Sequence, residues 1–235
     1  MRILLVIILA ILIAGKATAQ QQITFNRSTG SGSLSVGALI GPSLMIEKAP
    51  DSLLPELQNY LNKLRSGWHY GFETEYFFNS YFGVGVQFSS FNTHRNADSI
   101  AIEFFSRMYY INLSSKMTIY TLSPMAYGRL PLVNNKLMVT AGIGPAWLFY
   151  RNIGKTVSDS ALLKGSSPGL STSLRVSYEV IPNLSVGLQG SYIHAFLKEF
   201  TRDDGTTQQV IKLEKANYQN ISRIDFSFCL FYTFR

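Results

Sequence analysis

The sequence predicts an all-β fold, an antiparallel up-and-down transmembrane β-barrel of eight strands. Three observations predict it. Long stretches alternate apolar with small or polar residues at a period of two, which gives each strand two unlike faces. The connections between these stretches alternate long and short, so the long ones gather at one end of a barrel and the short ones at the other. Only 15% of the 235 residues are charged while 13% are aromatic, a balance that suits a chain showing apolar side chains to lipid.

The N-terminus carries an export pattern. Met1-Arg2 is followed by an apolar run from Ile3 to Ala14 and then by Gly15-Lys16-Ala17-Thr18-Ala19. A short basic start, an apolar run too short to span a bilayer and a small-x-small site predict a signal peptide over 1–19. No cysteine follows the cleavage site, which argues against a lipoprotein. Residues 20–32 read as a flexible, Gly/Ser-rich leader, and 33–235 as the barrel. No run past residue 19 is long and apolar enough for a membrane helix. The single cysteine, Cys229, excludes an intrachain disulfide framework. The formal charge of +7 becomes 7 − 2 = +5 once Arg2 and Lys16 leave with the signal peptide. For an exported chain the expected anionic partner is a lipid headgroup rather than nucleic acid.

The strands follow in order. Ser33 to Ile46 places Leu34, Val36, Ala38, Ile40, Pro42, Leu44 and Ile46 on one parity, against Ser and Gly on the other. A long connection from 47 to 66 holds Leu53, Leu57, Tyr60, Leu61 and Leu64 at helical spacing. Asp51 or Ser52 is its candidate cap and Pro55 sits in its first turn. This segment caps the barrel mouth, lies on headgroups or binds a partner; the sequence leaves the three open. Trp68 to Phe78 and Tyr81 to Phe91 form a hairpin across Asn79-Ser80. A long connection is expected from 92 to 115. The next strand covers Lys116 to Leu130 in one of two registers, with Tyr120, Leu122, Pro124, Ala126 and Leu130 competing against Ile119, Met125 and Tyr127. Ten strands result if Phe104 to Leu113 forms a pair of its own.

Lys136 to Tyr150 follows a short turn. A polar loop is expected from 151 to 167, then strands Gly169 to Val180 and Leu184 to Phe196 around the Ile181-Pro182-Asn183 turn. A polar loop from 198 to 220 with a turn at Asp204-Gly205 leads to the closing strand, Ile224 to Phe234. An eleven-residue strand rises about 36 Å, enough to cross the roughly 25 Å apolar band of an outer-membrane barrel when tilted by about 40°. Trp68, Tyr76, Phe78, Tyr81, Tyr192, Tyr232 and Phe234 lie near strand ends, as interfacial girdles do. A soluble barrel would turn its apolar face inward. Here the other face is mostly Gly, Ser, Thr and Gln with charges, a poor packed core.

The segments Gly37–Pro42 (G-A-L-I-G-P) and Ala141–Pro145 (A-G-I-G-P), the I-P-N turn and the terminal F-Y-T-F-R carry a resemblance. The chain resembles the small outer membrane beta-barrel family (porin-like, OmpX/OmpA-type) over its whole mature length. That resemblance implies a place in the cell outer membrane. It also implies that the barrel-assembly machinery reads the final strand, here Phe226, Phe228, Leu230, Tyr232 and Phe234. The family pattern ends on Phe; here Arg235 follows Phe234.

Glu73, Glu75, Arg175, Glu179 and Asp225 share the inward parity. Buried charges must be paired, so an internal ion-pair network is the first reading and a selectivity lining for a narrow, porin-like solute channel the second. Eight strands leave room for little beyond their own side chains. A lipid A-modifying enzyme is a third reading, and it needs a Ser, a His and an acid together. His69, His94 and His194 stand in no such motif, and no metal, cofactor or catalytic set is expected. Lys63, Arg65, Arg151, Lys155 and Arg202 fall in the long connections. They are candidates to contact lipopolysaccharide phosphates or an extracellular protein or small ligand. The triplets Asp51-Ser52-Leu53, Asp98-Ser99-Ile100 and Asp159-Ser160-Ala161 resemble a bacterial O-glycosylation motif.

Overall fold

A computed structural model describes residues 32–47, 54–104, 107–132, 136–155, 160–203, 205 and 207–234. The predicted signal peptide, the leader up to residue 31, the candidate helix caps Asp51 and Ser52, and Arg235 lie outside them. The long strands are β1 (Ser33–Met45), β2 (Ser66–Phe77), β3 (Phe82–Phe104), β4 (Arg107–Leu132), β5 (Leu137–Lys155), β6 (Ser160–Ile181) and β7 (Leu184–Leu197). Three short strands, β8 (Glu199–Asp203), β9 (Gln208–Lys212) and β10 (Gln219–Asn220), precede the closing strand β11 (Arg223–Phe234). One helix, α1 (Pro55–Leu64), lies between β1 and β2.

Every pairing is antiparallel. The order β11-β1-β2-β3-β4-β5-β6-β7 closes because β7 also pairs with β11. Eight strands therefore form a barrel without a free edge in its wall. β11 lies between β1 and β7, the neighbours its sequence position predicts. The ten-strand alternative falls. The Phe104–Leu113 region divides between β3 and β4, which pair with one another from Phe82↔Gly128 out to Phe104↔Arg107.

Two expected loops are corrected in the same way. The stretches 92–115 and 151–167 are largely strand: β3 and β4 run 23 and 26 residues, and β5 and β6 run 19 and 22. Beyond the membrane both strand faces are wet, so alternation fades while backbone pairing continues. The third polar stretch forms the β8–β9 hairpin, which extends the sheet from β6. Asp203 accepts a hydrogen bond from the Gly205 amide at 3.0 Å, and Gly205 has φ 87°, a conformation glycine adopts freely. At the opposite end Asn183 takes φ 71° in the turn between β6 and β7, which asparagine tolerates better than most residues.

Outward side chains form a continuous apolar belt around the barrel. Trp68, Tyr70, Tyr120, Trp147 and Phe149 mark the belt near the long-strand end, while Tyr76, Phe78, Phe82, Tyr232 and Phe234 mark it near the short turns. All are at least 40% exposed in the isolated chain, an apolar surface of the kind lipid covers on an outer-membrane barrel. The ambiguous β4 register resolves with Tyr120, Leu122, Pro124 and Ala126 outward and Ile119, Thr121, Ser123, Met125 and Tyr127 inward.

Helix α1 begins at Pro55, which needs no intrahelical donor there. Its Tyr60 and Leu64 are buried, with Leu57, Leu61, Ala97 and Leu113 packed beside them. The helix thus docks on the outer extension of β3 and β4. Replacing both Tyr60 and Leu64 with alanine is expected to release it. Each buried Leu-to-Ala change costs about 2–5 kcal/mol of packing, more than a short helix supplies alone. Tryptic cleavage at Lys63 and Arg65 should then accelerate at least tenfold while the barrel keeps its heat-modifiable migration. Unchanged cleavage would show that this contact does not hold the helix.

Candidate functional site: a filled lumen below a basic outer face

Inward side chains fill the lumen in layers, and the middle layer is ionic. Arg175 on β6 reaches across the barrel to β2, where its guanidinium binds Glu75 at 2.6 and 2.7 Å and Glu73 at 3.4 Å. β2 and β6 stand four strands apart around the eight-stranded wall, so this bridge spans the lumen. Gln87 and Gln189 each donate to Glu73 at 3.2 Å, and Ser171 donates to Gln87. The Arg175 guanidinium stacks on the Phe231 ring at 3.8 Å, with Cys229 buried alongside in the same face of β11.

A second charged level lies further toward the long-strand end. Arg223 is fully buried and holds Asp225 at 3.2 Å, Ser89 at 2.8 Å and Thr121 at 3.0 Å. Ser43 donates to the other Asp225 oxygen. Arg223 escaped the sequence reading because the closing strand was begun at Ile224; its parity with Asp225 was the available signal. Glu179 does not join either level. It stands half-buried at the short-turn mouth, where its Oε1 accepts from the Asn183 amide at 3.0 Å.

Above these levels the lumen turns apolar, a departure from the mostly Gly, Ser, Thr and Gln inner face that the sequence predicts. Phe91, Met117, Ile119, Leu148, Ile193 and Leu197 point inward from β3, β4, β5 and β7, and Ile221 folds in from the segment before β11. Ser222 secures that segment by accepting from the Ala195 amide at 3.1 Å. Below the ionic level, a vestibule of about 220 Å³ opens toward the short turns and ends on Arg175, Glu75 and Phe231.

The histidines are placed apart. His69 is buried in the lumen with its Nε2 at 2.7 Å from Ser227 Oγ. No side chain among the described residues is hydrogen-bonded to its Nδ1. His194 faces outward, 3.0 Å from the Tyr192 hydroxyl and edge-on to Phe196. His94 lies on the outer face of β3 opposite Lys116. No cluster of three or more metal-type ligands occurs among the described residues.

The five basic candidates separate. Arg65 donates to the carbonyls of Met45 and Ile46 at 2.8 to 3.1 Å and so caps the end of β1. Lys63 lies in the last turn of α1. Arg202 pairs in register with Leu163, on the inward-continuing face of the outer sheet. Arg151 and Lys155 lie on the outward face of β5, directly above Trp147 and Phe149. The strand-end residues Phe226, Phe228, Leu230, Tyr232 and Phe234 all face outward.

A closed eight-stranded wall, an apolar belt with aromatic margins and a salt-bridged lumen define an integral outer-membrane barrel. The profile of the outer membrane protein beta-barrel domain family matches residues 7–219. The chain belongs to that family, and its place is the outer membrane. No curated protein matches it in sequence. Among solved structures, a major outer membrane protein from Thermus thermophilus superposes with a TM-score of 0.59 at 15% identity, covering 87% of this chain and 100% of its own. OprG from Pseudomonas aeruginosa gives 0.50 at 10% identity, covering 87% and 97%. At such identities the likeness is one of fold alone. The outer membrane protease OmpT of Escherichia coli aligns at 0.49 and 11% identity, over 88% of this chain and 99% of its own, and carries no argument about activity.

Proposed function

We propose that the protein is a closed, non-catalytic surface barrel, exported by its N-terminal segment and displaying the long extensions of β3 to β6 outside the cell as a structural or binding element. The observation that carries this reading is the apolar layer of Phe91, Ile119, Leu148, Ile193 and Leu197 above the Arg223–Asp225 level, with the Arg175–Glu75 bridge beneath that level. An ion crossing it would shed its water against side chains that offer no replacement ligand. The narrow-channel reading has one observation in its favour, the vestibule at the short-turn mouth, but that vestibule ends on the bridge. On this proposal Phe226, Phe228, Leu230, Tyr232 and Phe234 form the strand signal read by the assembly machinery. The outer extensions are where an extracellular protein or small ligand would dock.

Planar-bilayer recording of the refolded protein is expected to give no steady conductance steps. Steps of uniform size that persist in independent preparations would replace the closed-barrel reading with the channel.

A further inference from the structure

The vestibule at the short-turn mouth is built on two rows of inward residues. On one wall Arg129 of β4, Thr140 of β5 and Arg175 of β6 stand in register across three adjacent strands. On the other, Thr233 of β11, Ser35 of β1 and Glu75 of β2 do the same. The strands carrying the rows lie four apart around the wall: β4 from β11, β5 from β1 and β6 from β2. At the third position the two rows meet in the Arg175–Glu75 bridge. All six residues line one space of about 220 Å³.

The charges on this lining balance. Its two guanidiniums, Arg129 and Arg175, stand with two carboxylates, Glu75 and Glu179. A lone anion or a lone cation entering here would meet groups of its own sign, whereas a molecule carrying both charges finds a complement for each. The two charged groups outside the bridge are also spread along the lumen. Glu179 lies four residues beyond Arg175 on β6, about 13 Å nearer the turn, while Arg129 stays in the Arg175 row. Arg129 is held in place, with its guanidinium 3.9 Å over the Phe77 ring and its Nε donating to the Ser80 carbonyl at 3.3 Å. Arg175 keeps its buried Nε without a hydrogen-bond partner among the described residues, so Glu73 and Glu75 do not exhaust its donors. The space is smaller than the roughly 300–1,000 Å³ of sites for drug-sized ligands, and its walls are rich in Ser and Thr hydroxyls. Both features fit a compact, strongly polar solute.

We propose that the vestibule binds a small zwitterionic solute of amino-acid size. Its carboxylate lies in the Arg129 row, where the guanidinium and the Thr140 hydroxyl donate to it. Its ammonium faces Glu179, with the Ser177 hydroxyl on the same wall between the two levels. The Arg175–Glu75 bridge forms the floor, so the solute enters and leaves by one mouth. The site goes beyond the closed-barrel reading and does not depend on it.

Met138 lines the vestibule between the Arg129 row and the turn and supplies a reporter. The full-length protein, isotope-labelled at its methionine methyls and folded in detergent, is titrated with glycine and with L-serine while NMR follows the methyl signals; Met138→Leu assigns the one that matters. A saturable shift of the Met138 methyl is expected with both amino acids. Methylamine and acetate, each carrying one of glycine's two charges, should bind at least tenfold more weakly than glycine. Arg129→Gln and Glu179→Gln should each weaken glycine at least fivefold, and the distant Lys63→Gln should leave it unchanged. Glu179→Gln keeps an acceptor for the Asn183 amide and so reads the charge alone should the Arg129 variant fold poorly; heat-modifiable migration checks each variant. No saturable shift with either amino acid, methylamine or acetate binding as tightly as glycine, or unchanged glycine binding in Glu179→Gln would each overturn the proposal. Release of trapped glycine from vesicles bearing the protein, with the Met138 shift intact, would overturn the closed barrel and leave the site standing.

Discussion

Replacing Arg175 with alanine is expected to destabilise the folded barrel by about 3–5 kcal/mol, the usual cost of leaving a buried charge without its partner. Two carboxylates, Glu73 and Glu75, two residues apart on the inward face of β2, would then be left buried side by side, with Gln87 and Gln189 still donating to Glu73. The cation stacked on Phe231 would be lost as well. Urea unfolding in lipid vesicles measures this, because Trp68 and Trp147 sit on the lipid-facing surface and lose that environment on unfolding. The companion triple variant Glu73→Gln/Glu75→Gln/Arg175→Met should recover most of the loss, since replacing a whole buried ionic cluster is often neutral. Arg175→Ala with wild-type stability would show that the bridge contributes nothing net. A triple variant as unstable as the single one would assign Arg175's role to its shape rather than its charge.

This cross-lumen bridge marks what the sequence makes legible. Parity alone placed Glu73, Glu75, Arg175 and Asp225 inside, because an inward residue on a period-two strand stays inward along its length. Partnership was not legible. Arg175 meets residues 100 and 102 positions away, and only the strand order that closes the wall puts β2 opposite β6. The apolar layer was hidden for a different reason. Near the outer end both faces are greasy, as in Trp147-Leu148-Phe149-Tyr150 and Ile119-Tyr120, so the contrast that reports a face disappears. The same loss of contrast left the β4 register open. Further out both faces are polar, and strands that continue through hydrogen-bonded pairing looked like loops.

The Gly-Pro segments behave differently: their repetition was visible, but their reason lies in the backbone. Between Leu122↔Trp147 and Ala126↔Ile143 the β4–β5 seam lacks paired residues, and Pro124 and Pro145, neither with an amide hydrogen, stand at the same level within it. A similar gap interrupts β1–β11 between Ile40↔Phe228 and Ser43↔Asp225, beside Pro42. These two seams lie opposite one another around the wall, each bordered by the first strand of a four-strand half. In both, the glycine before the proline brings its Cα against a neighbouring carbonyl, that of Phe226 for Gly41 and that of Pro124 for Gly144. A β-carbon at either position would fall well inside van der Waals contact with backbone, which cannot rotate away as a side chain can. Gly144→Val is therefore expected to cut the folded fraction recovered into detergent by about tenfold or more, the equivalent of the 1–3 kcal/mol that overpacking costs. Gly128→Ala and Gly190→Ala, where an added carbon meets nothing within 4 Å, should fold as well as the parent. Heat-modifiable migration after identical refolding separates the cases. If Gly144→Val folds with the yield of Gly128→Ala, the seam opens without cost and the repeated glycine is not there to admit the neighbouring carbonyl.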